Sequence, residues 1–356
     1  MQQTPLHDEH VAIGGKVVDF HGWALPVQYA GIIEEHHHTR AAASVFDCSH
    51  MGEFIIRGAN ALHSLNELLI SDVLGLRAGR GRYGAILNGH GGIIDDVVSF
   101  KLAEDEVYLV TNAGPLDTVA ALLAEAVPES ENVSASTAKI DIQGPASRDA
   151  LVRAGLGGIE ALKYFAAGRF EWRGTPLVVS RAGYTGELGY ELFVPNESVV
   201  ALWRALLAIE PVKPAALGAR DTLRTEVGYL LAGQDFDESR TPLEAGLDRF
   251  IAWETPFNGK DALLAKRDAG GYPVLTGIRT LDRRAPRHGF EVRKNGTVAG
   301  VVTSGTFGPS VGYGVGLAYV PRELAAPGTR LTAGPKEIEI ETAEIPFYKN
   351  GTCRQD

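Results

Sequence analysis

Residues 91–96 read Gly-Gly-Ile-Ile-Asp-Asp, which puts two carboxylates side by side at the mouth of an apolar hairpin. Successive side chains on a strand point to opposite faces, so Asp95 and Asp96 cannot share one role. One is expected to meet a pocket, and the other to face solvent or satisfy the turn. The flanking runs, Tyr83-Gly-Ala-Ile-Leu and Val97-Val98-Ser99-Phe100, suit a half-buried hairpin whose turn is Asn88-Gly89-His90-Gly91-Gly92.

A second stretch, Gly183-Tyr184-Thr185-Gly186-Glu187-Leu188-Gly189-Tyr190-Glu191, packs glycines, tyrosines and carboxylates into a strand–turn–strand junction. Glycine there lets a flat ligand approach the backbone, and tyrosine supplies an aromatic wall with a polar tip. A carboxylate in such a wall accepts paired hydrogen bonds from an amidine-like edge such as that of a pterin or guanine. The same residues would equally make a solvated surface turn. Gly218-Ala219-Arg220-Asp221 opens a helix, where Arg220 either clamps a ligand carboxylate or pairs with an aspartate to fix the cap.

Other clusters carry less chemistry. His36, His37 and His38 point in three directions on a helix, about 100° apart, which suits a solvated face better than a metal site. Cys48 and His50 lack the third group that orients a nucleophile and its base, so Cys48 reads as a core residue. Gly79-Arg80-Gly81 and Gly155-Leu156-Gly157-Gly158 miss the dinucleotide and P-loop spacings. Asp235, Asp237 and Glu238 lack the spacing of a calcium loop. No metal site is expected.

The elements that must position these groups follow an α+β order. Strand-like runs at 54–56, 107–110, 139–142, 170–172, 177–180 and 190–194 alternate with helical stripes. Those stripes are Leu62 to Ile70, Leu116 to Leu123, Val199 to Leu207 and Leu223 to Leu231. Asp268-Ala269-Gly270-Gly271-Tyr272-Pro273 punctuates the chain, and short strand-like runs beyond it suggest a small barrel or sandwich. The expected division is residues 1–265, two interleaved α+β lobes, and residues 272–353, a β-barrel domain.

Composition bounds the partners. A chain of 356 residues with 45% hydrophobic and 22% charged residues supports a folded protein of two or three domains. The net charge of −10 argues against nucleic acid as principal partner. Two distant cysteines form no redox or zinc motif and suit a reducing compartment. With neither a leader-like N-terminus nor an apolar run near the roughly 20 residues that cross a bilayer, no membrane is expected and the expected location is cytoplasmic.

Taken in order, several segments resemble the aminomethyltransferase family, the T-protein of the glycine cleavage system. They include Val18-Asp19-Phe20-His21-Gly22-Trp23, Phe46-Asp47-Cys48-Ser49-His50-Met51, Gly91 to Asp96, Gln143-Gly144-Pro145 and Gly183 to Glu191. Leu217 to Asp221, Gly233-Gln234-Asp235, Phe257 to Leu263 and Thr303-Ser304-Gly305-Thr306-Phe307 continue the match. The resemblance implies an α+β, three-lobed fold around tetrahydrofolate with a C-terminal β-barrel. It implies that a lipoylated H-protein delivers an aminomethyl group whose carbon becomes the bridge of 5,10-methylenetetrahydrofolate, with release of ammonia. On this sequence it implies Asp96 as the catalytic acid, Glu191 as the pterin-reading carboxylate, Tyr184, Tyr83, Asn112 and Met51 as pocket residues, and Arg220 as the substrate-binding arginine. Ala232 stands where the family often has tyrosine, which leaves that wall wider or filled by another side chain. A demethylase on the same fold is the alternative within folate enzymes. A folate-binding protein assisting iron–sulfur maturation is disfavoured, because residues 182–187 carry no cysteine.

Overall fold

The computed structural model describes residues 1–355. Two sheets face each other, and a closed barrel packs beside them. The first sheet has five strands in the order Arg80–Leu87, Ile93–Ala103, Glu106–Thr111, Gly52–Arg57, Ser130–Asn132, all antiparallel. Helices Ala59–Leu68 and Leu116–Ala126 cover its outer face and bury Leu62, Leu65, Val119 and Leu123 against Phe54, Val97 and Leu109.

The second sheet has six strands in the order Ala167–Trp172, Thr175–Ser180, Gly189–Pro195, Thr137–Gln143, Ala43–Asp47, Val212–Pro214. Helices Ser147–Arg153 and Asn196–Leu207 close its outer side, with Leu151 and Trp203 of the helices packed in one core with Ile140, Ile142 and Tyr190 of the strands. Phe100, Tyr108 and Val110 of the first sheet meet Ala167 and Phe193 of the second in a smaller apolar cluster. A three-stranded sheet of Gln2–Gln3, Trp23–Gln28 and Lys16–Phe20 lies at the N-terminus.

The third lobe is the expected barrel. Six antiparallel strands, running from Val274–Thr280 to Ile338–Ala343, close around Ile278, Val292, Val302 and Ile340. Closure removes the sheet edges that short strands would otherwise expose. The fold is thus α+β with three lobes, as expected.

One helix differs from its sequence pattern. The stripe Leu223 to Leu231 continues past the helix Leu217–Val227, which ends where Gly228 takes a φ of 74°. A left-handed residue there terminates the helix, and Leu230 and Leu231 continue as loop. The three-histidine helix, Ile32–Ala41, is also not a solvated face throughout. His36 is fully buried between Thr222 and Ser310, because the helix packs along the helix Leu217–Val227 and a barrel loop covers this end of the contact. Among the described residues no helix is long and apolar enough to cross a membrane, and no metal-binding cluster forms.

Candidate active site

The strand Ile93–Ala103 sets the geometry. Its inner half alternates buried and half-buried residues, so Ile94, Asp96 and Val98 look into a cavity while Ile93, Asp95 and Val97 look away from it. Pairing with Arg80–Leu87 slips by one residue beside the aspartates: Asp95 stands opposite Ile86, yet Ile93 stands opposite Leu87. Such a bulge re-aims the side chains next to it.

The cavity measures about 1250 Å³ and is lined from both sheets, the helix Leu217–Val227 and the loop after it. That exceeds an ordinary small-ligand pocket of roughly 300–1,000 Å³, leaving room for two reactants. The site residues that the resemblance implies all line it: Asp96, Tyr83, Asn112, Met51, Tyr184, Glu191 and Arg220.

Asp96 is gripped from two sides. Tyr83 Oη donates to Asp96 Oδ2 at 2.7 Å, and Asn112 Nδ2 donates to Oδ1 at 2.5 Å. Burial pushes this carboxyl above the usual aspartate range, and the Tyr83 and Asn112 bonds partly oppose the rise. Burial drives the Tyr83 phenol well up as well, so it remains a donor.

Asp95 corrects the sequence expectation. It neither reaches solvent nor satisfies the turn, which is closed instead by Asn88 Oδ1 accepting from the His90 and Gly92 amides. Asp95 is fully buried and accepts from the Asn112 backbone N–H at 3.0 Å and from Asn112 Nδ2 at 2.7 Å. Burial and the neighbouring Asp96 charge raise its carboxyl well above the usual range. Asn112, just past the end of Glu106–Thr111, therefore ties both aspartates together.

The opposite wall holds the second cluster. Glu191 accepts from Ser180 Oγ at 2.8 Å and pairs with Lys139 at 2.9 Å. The Tyr184 and Tyr229 rings stack at 5.9 Å, and the Arg220 guanidinium sits 4.9 Å from the Tyr184 ring centre. Arg220 pairs not with the adjacent Asp221 but with Asp141, at 2.8 Å; Asp221 is taken by Arg224. The guanidinium thus has one side fixed by protein and remains on the cavity wall.

Gly183 lines the cavity, and the glycines of 183–189 also have a packing purpose that their pattern did not show. A Cβ at Gly183 or Gly189 would lie 2.0–2.2 Å from Gln143 Oε1, and one at Gly186 would lie 2.5 Å from Val227. They clear space for packing. Cys48 is a core residue whose thiol burial pushes up to about 12, and Asp235 is held by the Arg224 guanidinium and the Thr303 hydroxyl.

His50, weighed in the sequence as a base for Cys48, lies in a turn on the wall, its imidazole pushed down to about 4 by burial and so neutral. Other lining groups had no sequence signal of their own. Phe250 packs against Tyr83 at 4.7 Å, and Arg249 lies over Phe250. Arg354 reaches the cavity because the C-terminal segment folds back, with the Cys353 amide bonded to the Gly186 carbonyl. A distant tail gives no period or spacing that announces such a return.

The architecture, two sheets around one carboxylate-lined cavity with a barrel packed beside them, is that of a known class. Residues 6–255 match the GCVT N-terminal domain, and residues 274–349 match the glycine cleavage T-protein C-terminal barrel domain. The chain is 38% identical to an aminomethyltransferase of Halothermothrix orenii over 360 residues, covering 98% of this chain and 100% of that one. It is 39% identical to one from Saccharopolyspora erythraea, covering 98% of each. The solved glycine cleavage system aminomethyltransferase T from Bartonella henselae superposes with a TM-score of 0.93 at 32% identity over 99% of both chains. The chain belongs to the glycine cleavage T-protein family of aminomethyltransferases.

Proposed function

We propose that this chain carries out aminomethyl transfer in the glycine cleavage system by binding tetrahydrofolate in the described cavity and receiving the aminomethyl group from a lipoylated H-protein. The product carbon would leave as 5,10-methylenetetrahydrofolate, with ammonia and dihydrolipoyl H-protein. The observation that carries this reading is the placement of two carboxylates, Asp96 and Glu191, on walls of one cavity large enough for two reactants.

The residues present suit a reduced folate. Glu191 offers a carboxylate to the N–H edge of a pterin, and the Tyr184 ring offers an apolar face for a flat heterocycle. Arg220 supplies a cation on the same wall. Tetrahydrofolate, when bound, supplies the nucleophilic nitrogens that accept the carbon.

Asp96 is the proposed catalytic residue. A carboxylate held in place by Tyr83 and Asn112 stabilises positive charge developing on the transferred carbon and accepts a proton from the folate nitrogen. Because its donors are already in place, little reorganisation accompanies the step. The neutral His50 adds no competing charge at the wall.

The test is direct. Purified protein mixed with aminomethyl-loaded H-protein should release ammonia only when tetrahydrofolate is present. Ammonia release that ignores tetrahydrofolate, or none at all, would defeat the proposal.

A further inference from the structure

Glu53, on the strand Gly52–Arg57, is completely enclosed, and no protein group hydrogen-bonds either carboxyl oxygen. An ionised carboxylate in that position would be strongly disfavoured. The charged and titratable groups acting on it come from three neighbouring strands. They are Lys139 on Thr137–Gln143, Glu191 on Gly189–Pro195 and Tyr108 on Glu106–Thr111.

Lys139 is already committed elsewhere. Its Nζ lies 2.6 Å from Asp141 Oδ1 and 2.9 Å from Glu191 Oε1, while Asp141 Oδ2 accepts from Arg220 at 2.8 Å. Lys139 and Arg220 are thus matched by Asp141 and Glu191, and Glu53 is the carboxyl left over. Enclosure pushes Glu53 well above the usual carboxylate range, in agreement with the geometry.

We propose that Lys139 and Glu53 are positioning residues for Glu191. Lys139 anchors one carboxylate oxygen and so aims Glu191 at the cavity, while Glu53 stays protonated and leaves that ammonium uncontested. Ionisation of Glu53 would draw Lys139 toward itself and release Glu191. This inference rests on Glu191 being the group that reads the folate.

Two consequences separate this from a passive core role. First, the folded chain keeps a proton on Glu53 that the unfolded chain loses above about pH 4.3, so stability falls as pH rises through that window until Glu53 ionises in the fold. Glu53→Gln, a neutral isostere, removes this dependence. It should be more resistant to urea than the wild type at about pH 8, with the difference shrinking toward about pH 4.

Second, the wild type should lose tetrahydrofolate affinity on the alkaline side of neutrality as Glu53 ionises, whereas Glu53→Gln should lose much less. Lys139→Met should raise KM for tetrahydrofolate about tenfold with little change in kcat. If that variant does not fold, the Glu53→Gln comparison decides alone.

Identical alkaline weakening in wild type and Glu53→Gln would overturn the proposal, as would an unchanged KM in folded Lys139→Met. A wild type that fails to bind tetrahydrofolate at neutral pH would instead contradict the folate reading of Glu191. The urea comparison would still decide whether Glu53 keeps its proton.

Discussion

Asp96 and Asp95 differ by one position on one strand, and that single step divides their roles. Asp96 lines the cavity under Tyr83, while Asp95 lies on the other face and is reached only through Asn112. The Tyr83 hydroxyl is expected to tune Asp96 as well as hold it. Tyr83→Phe removes a donor to the ionised form, so the already raised carboxyl should rise further. The acid limb of the kcat profile should then move to higher pH by about one unit. A profile unchanged in position would show that Tyr83 serves only as wall. The residue scale is also where the sequence was least complete. Alternation alone separates the two aspartates but cannot show that Asn112, sixteen positions beyond Asp96, returns to bind both.

At the scale of elements, the strand pattern was legible and the space between strands was not. The hairpin Arg80–Leu87 and Ile93–Ala103 follows from period-two hydrophobicity bracketed by glycine and asparagine. The glycines of 183–189 were legible as a junction, yet Gly183 and Gly189 make room for the Gln143 side chain of a neighbouring strand, which no local pattern encodes. Gly189→Ala should force Gln143 aside and cost about 1–3 kcal/mol, read as a lower urea midpoint at unchanged slope. Stability within about 0.5 kcal/mol of wild type would mean that Gln143 yields freely. The helix Leu217–Val227 makes the same point from its C-terminal end. Its leucine stripe runs on, but the left-handed Gly228 stops it and turns Leu230 and Leu231 into cavity wall.

Across the whole molecule, one buried ion network joins parts far apart in the chain. Arg40 binds Glu187 at 2.8 Å and Glu226 at 3.0 Å, His36 lies 3.2 Å from Glu226, and Ser310 beside the barrel bonds His36. Glu187 also accepts from Thr352 in the C-terminal segment. The three histidines in a row gave no sign that one of them would be enclosed, because burial there is decided by the helix Leu217–Val227 and a barrel loop, both distant in sequence. Arg40→Met would leave Glu187 and Glu226 without their shared cation and should cost about 3–5 kcal/mol. Urea unfolding measures the loss, and a variant as stable as wild type would show the network to be incidental. Burial alone would raise Glu226, but His36 and Arg40 overcome it and hold its carboxyl low. Its contribution is therefore present above the unfolded value, about pH 4.3, and is lost as the pH falls through the lower folded value.

The central claim is that binding and chemistry reside on different carboxylates of one cavity, with Asp96 alone of the hairpin pair facing the reaction. Its most direct test compares tetrahydrofolate-dependent ammonia release and tetrahydrofolate affinity in wild type, Asp96→Asn and Asp95→Asn. Asp96→Asn should lose of order 10²–10³ in turnover while binding folate within a few fold of wild type. Asp95→Asn should lose about tenfold or less, through a looser Asn112. Equal losses from the two substitutions, or a loss of folate binding that accounts for the whole effect of Asp96→Asn, would contradict the account.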